Sequence, residues 1–283
     1  MTEMKDLLLN VFVGLSKPRV PSQGEYLNEA DGLIYCACCH TPRQAKIQLK
    51  GYDQMVFPPV MCRCRREEAQ RAEEERVQSQ FEIETKRMKA EGLQDRAIFS
   101  YRFENDNGLN PQMETAKRYV QNFETMEKKG MGLLLCGSVG TGKTFMAGCI
   151  ANALLEKRIP VLMTKFSRIL NQLTCQIGED KNRLLESFDN YRLLIIDDLG
   201  AERNSEFALE QVFSVIDARV QSGRPMIVTT NMTLSMLQNP ADIAHARIYD
   251  RILAHCIPVK VNDVRIRQKN AEKEVQSLRK MLE

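Results

Sequence analysis

Residues 137–144 read Gly-Ser-Val-Gly-Thr-Gly-Lys-Thr, a complete G-x-x-x-x-G-K-T pattern. In such a loop Gly137, Gly140 and Gly142 let backbone N–H groups converge on phosphate oxygens, with Ser138, Val139 and Thr141 filling the turn. Lys143 adds a point charge, and the Thr144 hydroxyl can ligate Mg²⁺ at the positive end of a helix. An apolar run from Gly132 to Cys136 precedes the loop and a helix-like stretch from Phe145 to Glu156 follows it. This strand–loop–helix context points to a bound nucleoside triphosphate.

A phosphate loop needs a second acidic site to hold its metal. Residues 193–198, Leu-Leu-Ile-Ile-Asp-Asp, form an apolar strand that ends in two carboxylates. Asp197 is placed to hold Mg²⁺ through water, and Asp198 to polarise the attacking water. The next apolar run, Met226 to Thr229, leads into Thr230 and Asn231. An Asn there can orient the hydrolytic water, although Thr-Asn is also an ordinary helix-start or turn pair. Arg247 and Arg251 lie four apart and share a helix face. They are either a solvated, salt-bridging face or a cation source for a γ-phosphate.

Nine cysteines without a secretory signal argue for thiols or metal rather than disulfides. Five of them, Cys36, Cys38, Cys39, Cys62 and Cys64, crowd one window, and the remaining four read as small buried hydrophobes. Cys36-x-x-Cys39 with Cys62-x-Cys64 offers the two close pairs that a tetrahedral Zn²⁺ site uses. Cys38 is then surplus, and His40 is a substitute ligand. Reduced, unliganded thiols are the alternative. Four protein ligands leave no open position for water, so such a zinc is structural.

The elements that must position these groups follow from composition. The 283 residues exceed one typical domain, and 40 basic against 37 acidic residues leave +3, too mild a charge to prove a nucleic-acid partner. No apolar run approaches a membrane span, and the expectation is a cytoplasmic protein with no membrane partner. Residues 65–90 lack Pro and Gly and mix charges at helical spacing, which predicts an exposed linker helix ended by Gly92. Five short apolar runs beginning at Leu133, Val161, Leu193, Met226 and Cys256 alternate with helical patterns, the signature of a parallel sheet covered on both faces. The expected organisation is an amino-terminal region with a zinc module over 1–64, a charged helix over 65–91 and an α/β nucleotide-binding domain over 92–283.

The loop GSVGTGKT, the double aspartate in LLIIDDLG, IVTTN, ARIYDR and the lead-in GLQDRAIFSYRFEND together resemble the AAA+ ATPases over roughly residues 92–270. Within them the likeness is to DnaC-type replicative helicase loaders and the related IstB-type transposition helper ATPases. The resemblance implies an AAA+ P-loop domain with a five-stranded parallel sheet and Mg-dependent ATP hydrolysis. It implies that Phe103 lies near the base, Asn231 at the sensor position and Arg251 at a trans-acting arginine finger assisted by Arg247. Arg265 falls where a cis-acting sensor arginine is expected, with Arg267 as its rival. The stretch from Phe166 to Asp189, with Lys165, Arg168, Lys181 and Arg183, corresponds to helices that contact single-stranded DNA in the family, or is an ordinary helical pair on the sheet edge.

Amino-terminal zinc modules in this group attach loaders to their helicase, and the transposition helpers generally lack one. The implied function is ATP-dependent loading of a DnaB-type replicative helicase hexamer onto single-stranded DNA, with self-association through the ATPase domain. The amphipathic stretch Met4 to Leu15 is a helicase-gripping element or an end helix packed on its own domain. The alternatives are a transposition helper assembling on duplex DNA, a metabolic phosphotransferase, or a binding module with a vestigial ATPase.

Overall fold

The computed structural model describes residues 19–48, 55–176, 178–200, 205–261 and 264–282; the stretch from Met4 to Leu15 lies outside them. Contacts divide the chain into two units, Met1–Glu82 and Ile83–Glu283, and the division falls within one long helix.

In the first unit β1 (Glu25–Leu27) and β2 (Ile34–Cys36) pair antiparallel, as do β3 (Ile47–Gln48) and β4 (Met55–Val56). Helix α1 (Arg63–Gly92) follows. The buried residues described ahead of α1 are Ile34, Cys36, Gln44, Val56 and Cys62. So small an interior cannot offset much chain entropy and calls for a staple. Residues 65–80 of α1 are all exposed, and its surface is laced by pairs such as Arg76–Glu73 at 2.7 Å. The helix starts two residues earlier than charge patterning predicts, so Cys64 sits in its first turn.

The second unit runs α2 (Met113–Gln121), α3 (Phe123–Lys128), β5 (Gly132–Cys136), α4 (Lys143–Glu156), β6 (Val161–Lys165), α5 (Phe166–Thr174) and α6 (Glu179–Ser187). It continues with β7 (Leu193–Leu199), α7 (Glu206–Gln221), β8 (Met226–Thr230), α8 (Leu234–Gln238), α9 (Ile243–His255), β9 (Cys256–Lys260) and α10 (Ile266–Leu282). The five strands form one parallel sheet in the order β6-β7-β8-β5-β9. Their residues alternate between two cores. Leu133, Leu135, Leu193 and Ile195 pack on one face with α4, while Leu134, Leu194, Ile196 and Val228 pack on the other with α7 and α9. Side-chain caps set several helix starts: Ser205 accepts from the Ala208 N–H ahead of α7, and Asp242 from the His245 N–H ahead of α9.

The sheet order matters for function because β5, which feeds the phosphate loop, is flanked by β8, with β7 one strand further. All three strands point the same way, so their carboxyl ends converge, where open α/β sheets bind ligands.

At the opposite end a buried arginine ties the sheet together. Arg219 of α7 donates from Nη1 to the Phe188 carbonyl at 3.0 Å, from Nη2 to the Arg192 carbonyl at 3.2 Å and from Nη2 to the Pro225 carbonyl at 2.9 Å. Burial pulls its pKa down to about 10. Truncation would orphan carbonyls just before β7 and β8. We expect Arg219→Ala to cost about 3 kcal/mol or more in chemical denaturation, because each stranded acceptor costs about 1–3 kcal/mol.

Candidate functional site

The phosphate loop closes directly onto α4. Gly142, the residue before the helix, has φ 95°, a left-handed conformation that favours glycine, and no side chain caps the helix start. The first-turn N–H groups of α4 are therefore open to an anion. Gly137 is pressed on Val261: a Cβ there would lie 2.8 Å from the Val261 carbonyl oxygen.

Lys143 is 5% exposed, and its ammonium donates to the Gly137 and Ser138 carbonyls at 2.8 Å each and to Asn231 Oδ1 at 2.9 Å. Burial pulls its pKa below the usual lysine value, with Asp198 and Asp197 opposing that shift. The contact with Asn231 joins the loop after β5 to the residue after β8.

Asp197 is 3% exposed and accepts from the Thr144 hydroxyl at 3.0 Å and from the Thr229 hydroxyl at 2.7 Å. Burial pushes its carboxyl above the ordinary aspartate value, against the pull of those hydroxyls. Both carboxylates lie inside β7, not at its end, because the strand continues to Leu199 after an irregularity in its register with β8. Asp198 sits at that irregularity with φ 64°, rare for a residue with a Cβ, and its N–H donates to Thr229 Oγ1 at 3.0 Å. Thr229 thus bridges both aspartates from a fully buried position. In the sequence a threonine within an apolar strand reads as a strand former, and the signal for Thr229 is its inclusion in IVTTN.

The phosphate loop, Asp198 and Asn231 border a cavity of about 430 Å³, within the range of small-molecule sites. Val139, Gly140, Thr141, Gly142, Lys143, Thr144, Asp198 and Asn231 all line it. The aromatics on its wall are Tyr101 and Phe145, their ring centroids 5.1 Å apart, and not Phe103, which packs partly buried against the core around α4. Of the two carboxyl-terminal arginines, Arg267 lines the cavity and Arg265 does not. The reason is the start of α10 at Ile266, which turns residues 266 and 267 toward the loop. The Arg267 N–H donates to the Gly140 carbonyl at 3.1 Å.

Thr144 is shared with a second cavity of about 530 Å³, which Asp197 lines together with Arg96, Lys165 and Arg168. Arg168 donates to the Gln94 carbonyl at 3.1 Å, whereas Arg183 is paired within its own helix to Glu179 at 3.5 Å. Lys181 is half-buried on α6. Arg247 and Arg251 do not line the nucleotide cavity; both are exposed on α9.

In the first unit the sulfurs of Cys36, Cys39, Cys62 and Cys64 lie within 4.8 Å of one another, with Cys62 and Cys64 at 3.3 Å and Cys36 and Cys64 at 3.5 Å. Four thiolates at 2.3 Å from one zinc would be about 3.8 Å apart, so the set fits that ion without rearrangement of the chain. The Thr41 hydroxyl, 3.1 Å from Cys39 Sγ, helps pull that thiol down to about 5, while Cys64, crowded by the other three sulfurs, is pushed up. A cation among the four sulfurs would favour the thiolate form of all of them. Cys38 is exposed and outside the cluster, and the His40 ring lies 3.3 Å from the Tyr26 hydroxyl, also outside it.

The model of the IstB-like ATP binding protein family matches residues 63–274, three-quarters of the chain. The chain belongs to that family. Relatives include the replicative helicase loader DnaC of Escherichia coli, 27% identical over 156 residues, which span 54% of this chain and 61% of that protein. The replicative helicase loader DnaI of Bacillus subtilis is 31% identical over 148 residues, 47% of each chain. A putative insertion sequence ATP-binding protein of Sinorhizobium fredii is 28% identical over 150 residues, 50% of this chain and 49% of that one. The matches thus span about half to three-fifths of these relatives. The crystal structure of the DnaC helicase loader superposes with a TM-score of 0.51 at 24% identity, covering 59% of this chain and all of that one. That of DnaI gives 0.51 at 23% identity over 62% of this chain and 94% of that one. The fold is accordingly the AAA+ P-loop fold that the resemblance implies.

A direct consequence of the buried acid can be measured. A carboxyl whose folded pKa is raised is destabilising once ionised, and the loss is complete above that pKa. Asp197→Asn, which keeps an acceptor for Thr229, is expected to raise Tm near pH 7 by about 2–4 °C. The gain should shrink as the pH falls toward the ordinary carboxylate range, where the wild-type acid is neutral too.

Proposed function

We propose that this protein is an ATP-dependent loader of a replicative DNA helicase, placing a DnaB-type hexamer on single-stranded DNA. The observation that carries this reading over a transposition helper is the four-cysteine cluster. It lies almost wholly ahead of the stretch matched to the IstB-like family, which begins at residue 63, and so is an addition to the shared ATPase domain. The resemblance ties such modules to helicase attachment. The names of the DnaC and DnaI relatives favour the same choice, and that of the insertion-sequence relative keeps the helper as the competing reading.

The chemistry follows from the residues around the cavity. Bound Mg²⁺ would screen the phosphate charge. Thr144 and Asp197 are the metal-holding pair. Lys143 reaches the outer phosphates from the loop, and the open N–H groups of α4 take the remaining phosphate charge. Asp198 accepts the proton of the attacking water and Asn231 orients that water. Tyr101 flanks the nucleotide, and Arg267, at the start of α10, is the cis-acting cation. Arg251, aided by Arg247, would complete the site of a neighbouring copy, so that assembly around DNA switches hydrolysis on and loss of the γ-phosphate dissolves the contact. Lys165 and Arg168 offer a DNA backbone a sequence-independent attraction. Zinc would be held by Cys36, Cys39, Cys62 and Cys64 as a closed, structural site.

Native mass spectrometry of the protein with its host's replicative helicase, with and without a non-hydrolysable ATP analogue, tests the reading. A complex containing a helicase hexamer is expected; nucleotide-dependent filaments on duplex DNA with no such complex would favour the helper instead. Lys143→Ala should lose nucleotide binding, whereas Arg251→Ala should keep binding and lose turnover on the order of 100-fold. Metal analysis should return about one zinc per chain.

A further inference from the structure

Helices α7 and α9 run side by side in the same direction, and their facing residues meet in two rungs one helical turn apart. In the first rung the guanidinium of Arg247 lies over the ring of Phe213, 4.2 Å from its centroid. In the second the Nε of Arg251 lies 3.2 Å from Asp217 Oδ1. Phe213 and Asp217 are four apart on α7, as Arg247 and Arg251 are on α9, so the rungs share one register.

From this geometry we propose that Asp217 is the positioning residue for the trans-acting Arg251, with Phe213 serving Arg247 in the same way. The inference rests on the trans role given to Arg251 above and deepens it.

Three features carry it. Asp217 is itself held: its Oδ2 accepts from Gln221 Nε2 at 2.6 Å, one turn further along α7. Its Oδ1 is buried and, among the described residues, makes no hydrogen bond, leaving the Arg251 cation as its compensation. A carboxylate in that state resists release of the guanidinium. Arg251, by contrast, is 46% exposed, against 19% for Asp217. The contact is made through Nε, so the two Nη groups of this exposed side chain are not needed for it. They are the part of an arginine suited to two oxygens of a phosphate. The cation over Phe213 is held by the ring face in a geometry that leaves its outer side accessible.

The arrangement lowers the entropy lost when the arginine meets a neighbour's nucleotide, a loss that an unrestrained long side chain would bear in full. It therefore acts on turnover in the assembly and leaves nucleotide affinity of the chain's own site alone. A contact serving only fold stability would not separate those two quantities.

The test is a comparison of Asp217→Asn, Arg251→Ala and the double variant in steady-state ATPase on single-stranded DNA, with nucleotide affinity measured separately by a fluorescent ATP analogue. Asp217→Asn is expected to lower kcat about tenfold with nucleotide affinity unchanged. The double variant is expected to fall no further than Arg251→Ala, because Asp217 acts through the arginine. A complementation mixture guards against misfolding. Asp198→Asn keeps its Arg251 and its Asp217 but cannot hydrolyse, so mixing it with Asp217→Asn should give more turnover than the two separately. Full kcat in Asp217→Asn beside a crippled Arg251→Ala would overturn the positioning role and leave the trans arginine standing. Additive losses in the double variant, or no gain on mixing, would overturn it as well. Normal turnover in Arg251→Ala would remove the trans reading itself, and this inference with it.

Discussion

The buried ammonium of Lys143 organises the nucleotide site. An unpaired cation at that depth would be prohibitive, and the chain meets the need by directing all three of its protons to acceptors: the Gly137 and Ser138 carbonyls and the Asn231 amide oxygen. Two of those acceptors shape the phosphate loop, and the third fixes the end of β8. One side chain thereby couples the element that receives phosphate to the element proposed to sense it. The same position explains why the glycines are needed, since backbone must come within reach of both the lysine and an anion.

The second constraint is the sheet order. Setting β8 beside β5 and β7 beside β8 brings residues far apart in sequence within one hydrogen-bonded group, Thr144 to Asp197 to Thr229 to the Asp198 amide. The irregularity between Ile196 and Leu199 belongs to the same design. It allows two successive carboxylates to face useful directions, where a regular strand would send alternate side chains to opposite faces. The left-handed Asp198 is the local cost of this, held by the Thr229 contact.

Much of this was legible in the sequence because its signals are local. The five apolar runs, the phosphate loop and the four cysteines depend on spacing within a few residues, and the strands and the sulfur cluster lie where those patterns put them. What was not legible depends on three-dimensional detail. Tyr101 and Phe103 are two residues apart in a segment of short 3₁₀ turns, and only the packing against α4 decides which ring faces the cavity. Arg265 and Arg267 lie on either side of the start of α10 at Ile266. Thr229 and Asp217 have unremarkable local contexts and become informative only through partners in other elements, Asp197 in one case and Arg251 in the other.

In the proposed assembly a site preorganised within one chain is completed by the next. Specific ATPase activity against protein concentration, at a fixed excess of single-stranded DNA, separates completion by a neighbour from a site complete in itself. Turnover per chain should rise with concentration and then level off as neighbours supply their arginines. Turnover per chain that stays constant down to concentrations where the protein is monomeric would contradict the account, because a site complete within one chain gains nothing from a second copy.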